Sequence, residues 1–321
     1  MNRQVPFNDI IRFGQETMLD TKLFNISWIL GRFCNYSCSY CWPYARSDQQ
    51  DYQTLDVYKN AIDVIKQQAR SNGFIEFHWS FSGGEPTAYK ELLTLIGHLN
   101  DNDTYQSLHM TTNLSPGSKW WTAWLEASHT LHRRSITASY HAEFAKEQEF
   151  GDKILMLMNH GVYVTVNQVM VHSQFDDLYA RCVRFKERGI NVTLKPQSNE
   201  TASGIVDGYT EAQIVTMRTE FAQLVNEQEL YQIKLTDGDS NYYLDQAERF
   251  NSFGFNQFKD WTCNSGYQSV IIRSNEVKRG YSCHDQILGT LTEGFNLFST
   301  PQKCITTSCV SSADSKIPKC K

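Results

Sequence analysis

The sequence predicts an α/β fold, in which six strand–helix units build a parallel sheet and a small cysteine-rich tail follows. Three observations predict it. Apolar patterns of period two and period 3.6 alternate six times between residues 24 and 228. Each predicted strand carries polar residues at or near its C-terminal end. Eight of the nine cysteines fall in two zones, 34–41 and 263–320.

The elements follow in order. A strand at 24–30 (Phe24 to Leu30) runs into Gly31 and the first cysteine zone. A helix over 55–71 has Thr54 as N-cap, a stripe of Tyr58, Ala61, Ile62 and Ile65, and Asn72-Gly73 as its stop. The second strand alternates Ile75, Phe77, Trp79 and Phe81 with Glu76, His78 and Ser80, and its helix carries Leu92, Leu93, Ile96 and Leu99. Strands near 107–112, 134–139, 162–170 and 190–195 come next. Their helices are expected over 117–128, 143–159, 176–188 and 210–228, the last with Ile214, Met217, Phe221 and Leu224. Cys182 lies with Leu178 and Phe185 on an apolar helix face and reads as a buried, inert thiol. After residue 228 the composition shifts, and 236–262 shows weak periodicity and reads as a linker or substrate-contacting segment.

At 321 residues the chain is one large or two modest domains, and 40% hydrophobic residues supply a sizeable core. A net charge of −5 argues against a protein that grips nucleic acid through its phosphates. No stretch has the ~18–20 apolar residues of a membrane helix, and no signal core follows Met1. The expectation is a cytoplasmic protein with neither nucleic acid nor membrane as partner. Nine cysteines in such a chain point to metal rather than disulfides.

In a strand–helix barrel the chemistry collects at the C-terminal ends of the strands. Here the first cysteine zone follows strand one, Ser82-Gly83-Gly84-Glu85-Pro86 follows strand two, and Thr111-Thr112-Asn113 closes strand three. Ser139-Tyr140-His141-Ala142-Glu143 closes strand four, Asn167-Gln168 lies in strand five, and Lys195-Pro196-Gln197 ends strand six. A purely structural sheet has no reason to gather polar groups this way, so the pattern argues for an enzyme. His141 is a candidate acid or base, and Lys195 suits an anionic or hydroxylated substrate. Either can instead be a solvated or helix-terminal polar residue.

The first cysteine zone reads Cys34-Asn35-Tyr36-Ser37-Cys38-Ser39-Tyr40-Cys41, a C-x3-C-x2-C run. A [4Fe–4S] cube usually takes four cysteines, so three leave one iron open. A zinc site is the competing assignment, but it commonly uses paired ligands with a second pair well downstream. This run, the aromatic Tyr40 before its third cysteine, and Gly83-Gly84-Glu85-Pro86 some 40 residues on resemble the radical S-adenosylmethionine (SAM) superfamily.

The resemblance implies an open, partial (β/α)6 TIM-like barrel over about 1–235. It implies a [4Fe–4S] cluster on Cys34, Cys38 and Cys41 that chelates SAM through the open iron and cleaves it to a 5'-deoxyadenosyl radical. An external low-potential donor of flavodoxin or ferredoxin type would supply the electron. Gly83, Gly84 and Glu85 would bind the SAM amino group, with Tyr40, Thr112, Asn113, Ser139, and Asn167 or Gln168 completing the cofactor site. Many relatives have an acidic residue and then an arginine around strand four, where this chain has Ser-Tyr-His-Ala-Glu.

In the tail, Cys263, Cys283, Cys304, Cys309 and Cys320 surround a predicted β-hairpin, 267–273 with 277–281. This arrangement, over 263–321, resembles the "twitch" domain, a shortened SPASM domain with one auxiliary [4Fe–4S] cluster. Cys263, Cys283, Cys304 and Cys309 are the favoured ligands and Cys320 the spare, although Cys320 could replace Cys304 or Cys309. A structural zinc site on the same ligands is the alternative.

The resemblance thus implies hydrogen abstraction from a small-molecule substrate, ending in oxidation or rearrangement. A peptide-modifying enzyme is the alternative, but only about 23 residues precede the first predicted strand, too few for a leader-binding domain. A non-enzymatic metal-binding module is the remaining possibility. It leaves the polar strand ends unexplained.

Overall fold

A computed structural model describes residues 5–42, 45–100, 104–200, 204–220, 232–244, 250, 254–283 and 286–321. The alternation predicted from sequence is present. Its strands are β2 (Leu23–Gly31), β3 (Glu76–Gly83), β4 (Gln106–Thr112), β5 (Arg133–Tyr140), β6 (Tyr163–Met170) and β7 (Asn191–Pro196). The helices between and after them are α1 (Leu55–Ser71), α2 (Leu92–Leu99), α3 (Ser118–Ala127), α4 (Glu147–Asn159), α5 (Phe175–Glu187) and α6 (Glu211–Thr219). Phe221 and Leu224 of the last predicted helix lie outside the described residues.

The chain divides into two compact units. One comprises Ile29–Leu55 and Ser80–Leu224, and β4 to β7 run parallel within it in sequence order. Its strands have two unlike faces. Met110, Ile136, Ala138, Tyr140, Val164, Val166 and Leu194 are buried on one face, where Tyr140 packs on Phe150 of α4 and Phe185 of α5. Cys182 is fully buried on α5, and burial pushes its thiol up to about 12, as its place on the apolar stripe predicts. The other face is polar and half-buried, with Thr111, Thr137, Ser139, Thr165, Asn167 and Thr193.

Helix α4 begins at Glu147, four residues later than the predicted start. Residues 141–144 instead turn back toward the cysteine loop. Tertiary contacts there win over helix propensity.

The other unit comprises Met1–Trp28, Asp56–Trp79 and Val225–Lys321. A strand that the sequence reading missed, β1 (Arg12–Gln15), precedes the first predicted one. It pairs antiparallel with β8 (Ile233–Thr236) and with the last strand, β16 (Lys319–Cys320). β9 (Asn241–Leu244), β10 (Thr262–Cys263) and β15 (Gln302–Lys303) complete this six-stranded sheet. Within 236–262, β9 and the buried Phe258 and Trp261 belong to the core, while 245–249 and 251–253 lie outside the described residues. The expected hairpin is present as β11 (Ser269–Arg273) and β12 (Glu276–Lys278), turning at Ser274-Asn275, and β13 (Ile287–Thr290) and β14 (Gly294–Phe295) extend it. No helix among the described residues is long and apolar enough to cross a membrane.

Candidate active site

The loop after β2 carries Cys34, Cys38 and Cys41, none of them in a disulfide. Its other residues are tied to three successive strand ends. At its entry, the Gly84 N–H donates to Gly31 O at 2.9 Å and the Glu85 N–H to Phe33 O at 2.8 Å. From the end of β4, the Asn113 side-chain amide donates to Asn35 Oδ1 at 2.9 Å, and Asn35 donates in turn to Ser115 Oγ at 2.9 Å. Beyond β5, Glu143 accepts from the Ser39 N–H at 3.0 Å and from the Ser39 hydroxyl, and Tyr40 Oη lies 2.8 Å from His141 Nδ1. Tyr36 stacks on Phe144 with ring centroids 4.8 Å apart. Asp51 accepts from the Arg32 N–H at 2.7 Å, and Arg46 donates to Tyr36 O at 2.8 Å.

The glycines of the Gly83-Gly84-Glu85-Pro86 turn are required by this close approach. A Cβ on Gly84 would lie 2.2 Å from Phe33 O and 2.3 Å from Arg32 O, both backbone atoms. Gly83 has φ of 132°, a conformation that favours glycine. Glu85 itself is buried. One oxygen accepts from the Asn113 N–H at 2.7 Å, and the other from the Thr112 hydroxyl at 2.7 Å, the Thr87 N–H at 2.9 Å and the Thr87 hydroxyl at 2.7 Å. Burial raises its pKa, and these four donors hold it down in part. The carboxylate therefore joins the ends of β3 and β4, with three donors on one oxygen and one on the other.

The remaining predicted residues divide by sheet face. Ser139 and Asn167 are direct neighbours across β5 and β6, and Thr193 is next across β7. All three lie on the polar face. Gln168, one residue on, points to the opposite face as the pleat dictates. It is buried there and donates to Val169 O at 2.7 Å. Lys195 is exposed at the end of β7. Burial pulls His141 down to about 4, so its imidazole is neutral at neutral pH, and Tyr40 engages its Nδ1.

The sequence reading missed the lower rows of the polar face. His109 Nδ1 lies 2.9 Å from Ser135 Oγ and its Nε2 3.2 Å from Thr137 Oγ1. The polar residues at every second position of β4 to β7 carried that signal. The role of Glu143 and Phe144 as partners of the cysteine loop is non-local and left no trace in the pattern.

In the tail, Cys263, Cys304 and Cys309 are buried in one cluster with Phe13, Phe258 and Trp261. Cys283 lies close enough to Cys263 and Cys309, and Cys309 close enough to Cys263, for their thiols to interact electrostatically. Burial, with Asp314 nearby, pushes Cys283 up to about 12, while the Lys319 ammonium opposes the rise at Cys309. Strand register separates Cys320 from this group. β10 pairs Cys263 with Lys319 and Thr262 with Cys320. Paired residues share a face and alternate along the strand, so Cys320 lies on the face away from Cys263. Among the described residues, no three His, Cys, Asp or Glu side chains converge as a single metal ion would require.

The radical SAM superfamily model matches residues 28–217, more than half of the chain, and the chain belongs to that superfamily. A GTP 3',8-cyclase of Pasteurella multocida (strain Pm70) is 30% identical over 106 residues, so the match spans 32% of this chain and only 30% of that enzyme. Among solved structures, anSMEcpe with bound AdoMet and Kp18Cys peptide aligns with a TM-score of 0.52 at 13% identity, over 85% of this chain and 78% of that one. Streptococcus suis SuiB bound to S-adenosylmethionine aligns with a TM-score of 0.51 at 16% identity, over 82% and 61%. At these identities the likeness shows the fold, which is consistent with a partial TIM barrel.

Membership of the superfamily supports an enzyme and implies a [4Fe–4S] cluster and SAM. The donor set fits. Three thiols lie within eight residues on one fixed loop, and a glycine turn is packed against its entry. Burial pushes all three thiols up, Cys38 to about 12, so they favour the neutral form until positive charge is brought among them.

Proposed function

We propose that this enzyme abstracts hydrogen from a small, uncharged, hydroxylated molecule and that the reaction ends in oxidation or rearrangement. The polar face of β4 to β7 carries this reading. Thr111, Thr137, Thr165 and Thr193 offer hydroxyls and His109 an imidazole, all without formal charge when His109 is neutral. Such groups suit hydroxyl substituents, which both donate and accept. Lys195, at the end of β7, is the cation proposed to meet the substrate's most electron-rich group.

When bound, the cluster on Cys34, Cys38 and Cys41 and its SAM supply the 5'-deoxyadenosyl radical that takes the hydrogen atom. Gly83 and Gly84 let backbone approach the SAM amino group, and Ser139 and Asn167 are proposed to meet its adenosine. Cys263, Cys283, Cys304 and Cys309 are proposed to hold a second [4Fe–4S] cluster, in a twitch-like domain, as acceptor of the electron left on the substrate. Register and burial support that set over one containing Cys320. A flavodoxin- or ferredoxin-type protein is the proposed electron donor. The proposed setting is the cytoplasm, with neither nucleic acid nor membrane as partner.

Iron per chain after anaerobic reconstitution tests the two-cluster reading. The wild type should hold about eight irons and the Cys34/Cys38/Cys41→Ala triple variant about four. Four and none would overturn the second cluster and favour a redox-neutral reaction. Deuterium transfer into 5'-deoxyadenosine from C–H-deuterated cyclitols and sugars tests the substrate class. Transfer only from peptides would overturn it.

A further inference from the structure

We propose that His141 and Glu143 are positioning residues that latch the cysteine loop from the end of β5. The proposal rests on the superfamily's cluster occupying Cys34, Cys38 and Cys41. Only Ser39 and Tyr40 lie between Cys38 and Cys41, and both are held by this latch. Glu143 receives both the N–H and the hydroxyl of Ser39, and His141 Nδ1 meets the Tyr40 hydroxyl at 2.8 Å with the two rings stacked at 29°. Phe144 stacks on Tyr36 at an interplanar angle of 17°, which fixes the stretch between Cys34 and Cys38.

One short stretch, 141–144, therefore restrains three of the five non-cysteine residues of the loop. Asn113 restrains a fourth, Asn35. The latch is built at the cost of helix, since α4 does not begin until Glu147. His141 acts through Tyr40 in this account, and Glu143 through Ser39. Their contribution is to the spacing of the thiols and hence to the geometry of SAM at the site.

The test uses full-length, anaerobically reconstituted protein. The variants are His141→Phe, Tyr40→Phe, the double variant and Glu143→Ala. The readouts are the electron paramagnetic resonance spectrum of the dithionite-reduced protein, its change on adding SAM, and the SAM Kd. His141→Phe keeps an aromatic ring and removes both ring nitrogens, of which Nδ1 meets the Tyr40 hydroxyl. His141→Phe and Tyr40→Phe should each alter the SAM-induced spectral change and weaken SAM binding about tenfold, the effect of one hydrogen bond. The double variant should be no worse than either single one, because both remove the same bond. Glu143→Ala should broaden the cluster signal.

Wild-type spectra and affinity in His141→Phe would overturn the proposal. So would additive effects in the double variant, which would assign His141 a separate role at the substrate. A wild type with no SAM-responsive cluster signal would overturn the cluster assignment beneath the proposal, a result distinct from either.

Discussion

His141 shows how much a side chain's role depends on its surroundings. In sequence it is a histidine at a strand end, the position of a general acid or base. In the structure burial holds its pKa near 4, below the ordinary 6.5. The folded protein therefore takes up this proton later than the unfolded chain does as pH falls. Stability is lost between about pH 6.5 and pH 4, and the loss levels off below that. His141→Phe should lack this contribution. Thermal unfolding of wild type and variant at pH 7.5 and pH 4.5 should show the wild type losing about 2 kcal/mol more than the variant. Equal losses would mean that His141 is protonated in the folded state. Glu85 illustrates the same dependence. Its glycine-flanked motif is plain in the sequence, but its four internal donors depend on the ends of β3 and β4 being neighbours.

At the scale of elements, the pleat of two short strands decides between cysteines that composition leaves equivalent. Cys320 and Cys263 are near in the tail sheet, yet register turns them to opposite faces. Lys319 takes the place facing Cys263. Its ammonium donates to Asp314 O at 2.7 Å and Ile317 O at 3.0 Å, and it lies 5.2 Å from the Phe13 ring and 5.0 Å from the Phe258 ring. Cys320→Ser should leave tail iron unchanged, whereas Cys309→Ser should lose it. Iron analysis in the background of the Cys34/Cys38/Cys41→Ala variant separates the two, and loss of iron from Cys320→Ser would reverse the assignment. The same pleat sorts β6, where Asn167 and Gln168 are adjacent in sequence and on opposite faces. Alternation of polar positions along β4 to β7 distinguishes them and marks His109 as part of the same face.

Across the whole molecule, the legible parts are those encoded locally. The strand–helix alternation follows from apolar periodicity within each element, and the two cysteine zones from spacing. β1 was not legible because its four residues have partners some 220 and 300 positions away, in β8 and β16. Residues 143 and 144 read as the start of a helix because the partners of the 141–144 stretch, Tyr36, Ser39 and Tyr40, lie about 100 positions upstream. That distance has a practical meaning for chemists who build metallopeptides. A synthetic peptide of residues 31–42 keeps all three thiols at native spacing and loses Asn113, His141, Glu143 and Phe144 together. It should take up iron more weakly than the folded protein and give a heterogeneous cluster spectrum, observable by titration with ferrous iron and sulfide. The C-x3-C-x2-C run is thus not a portable cassette, because its shape is held by three strand ends that lie elsewhere in the chain.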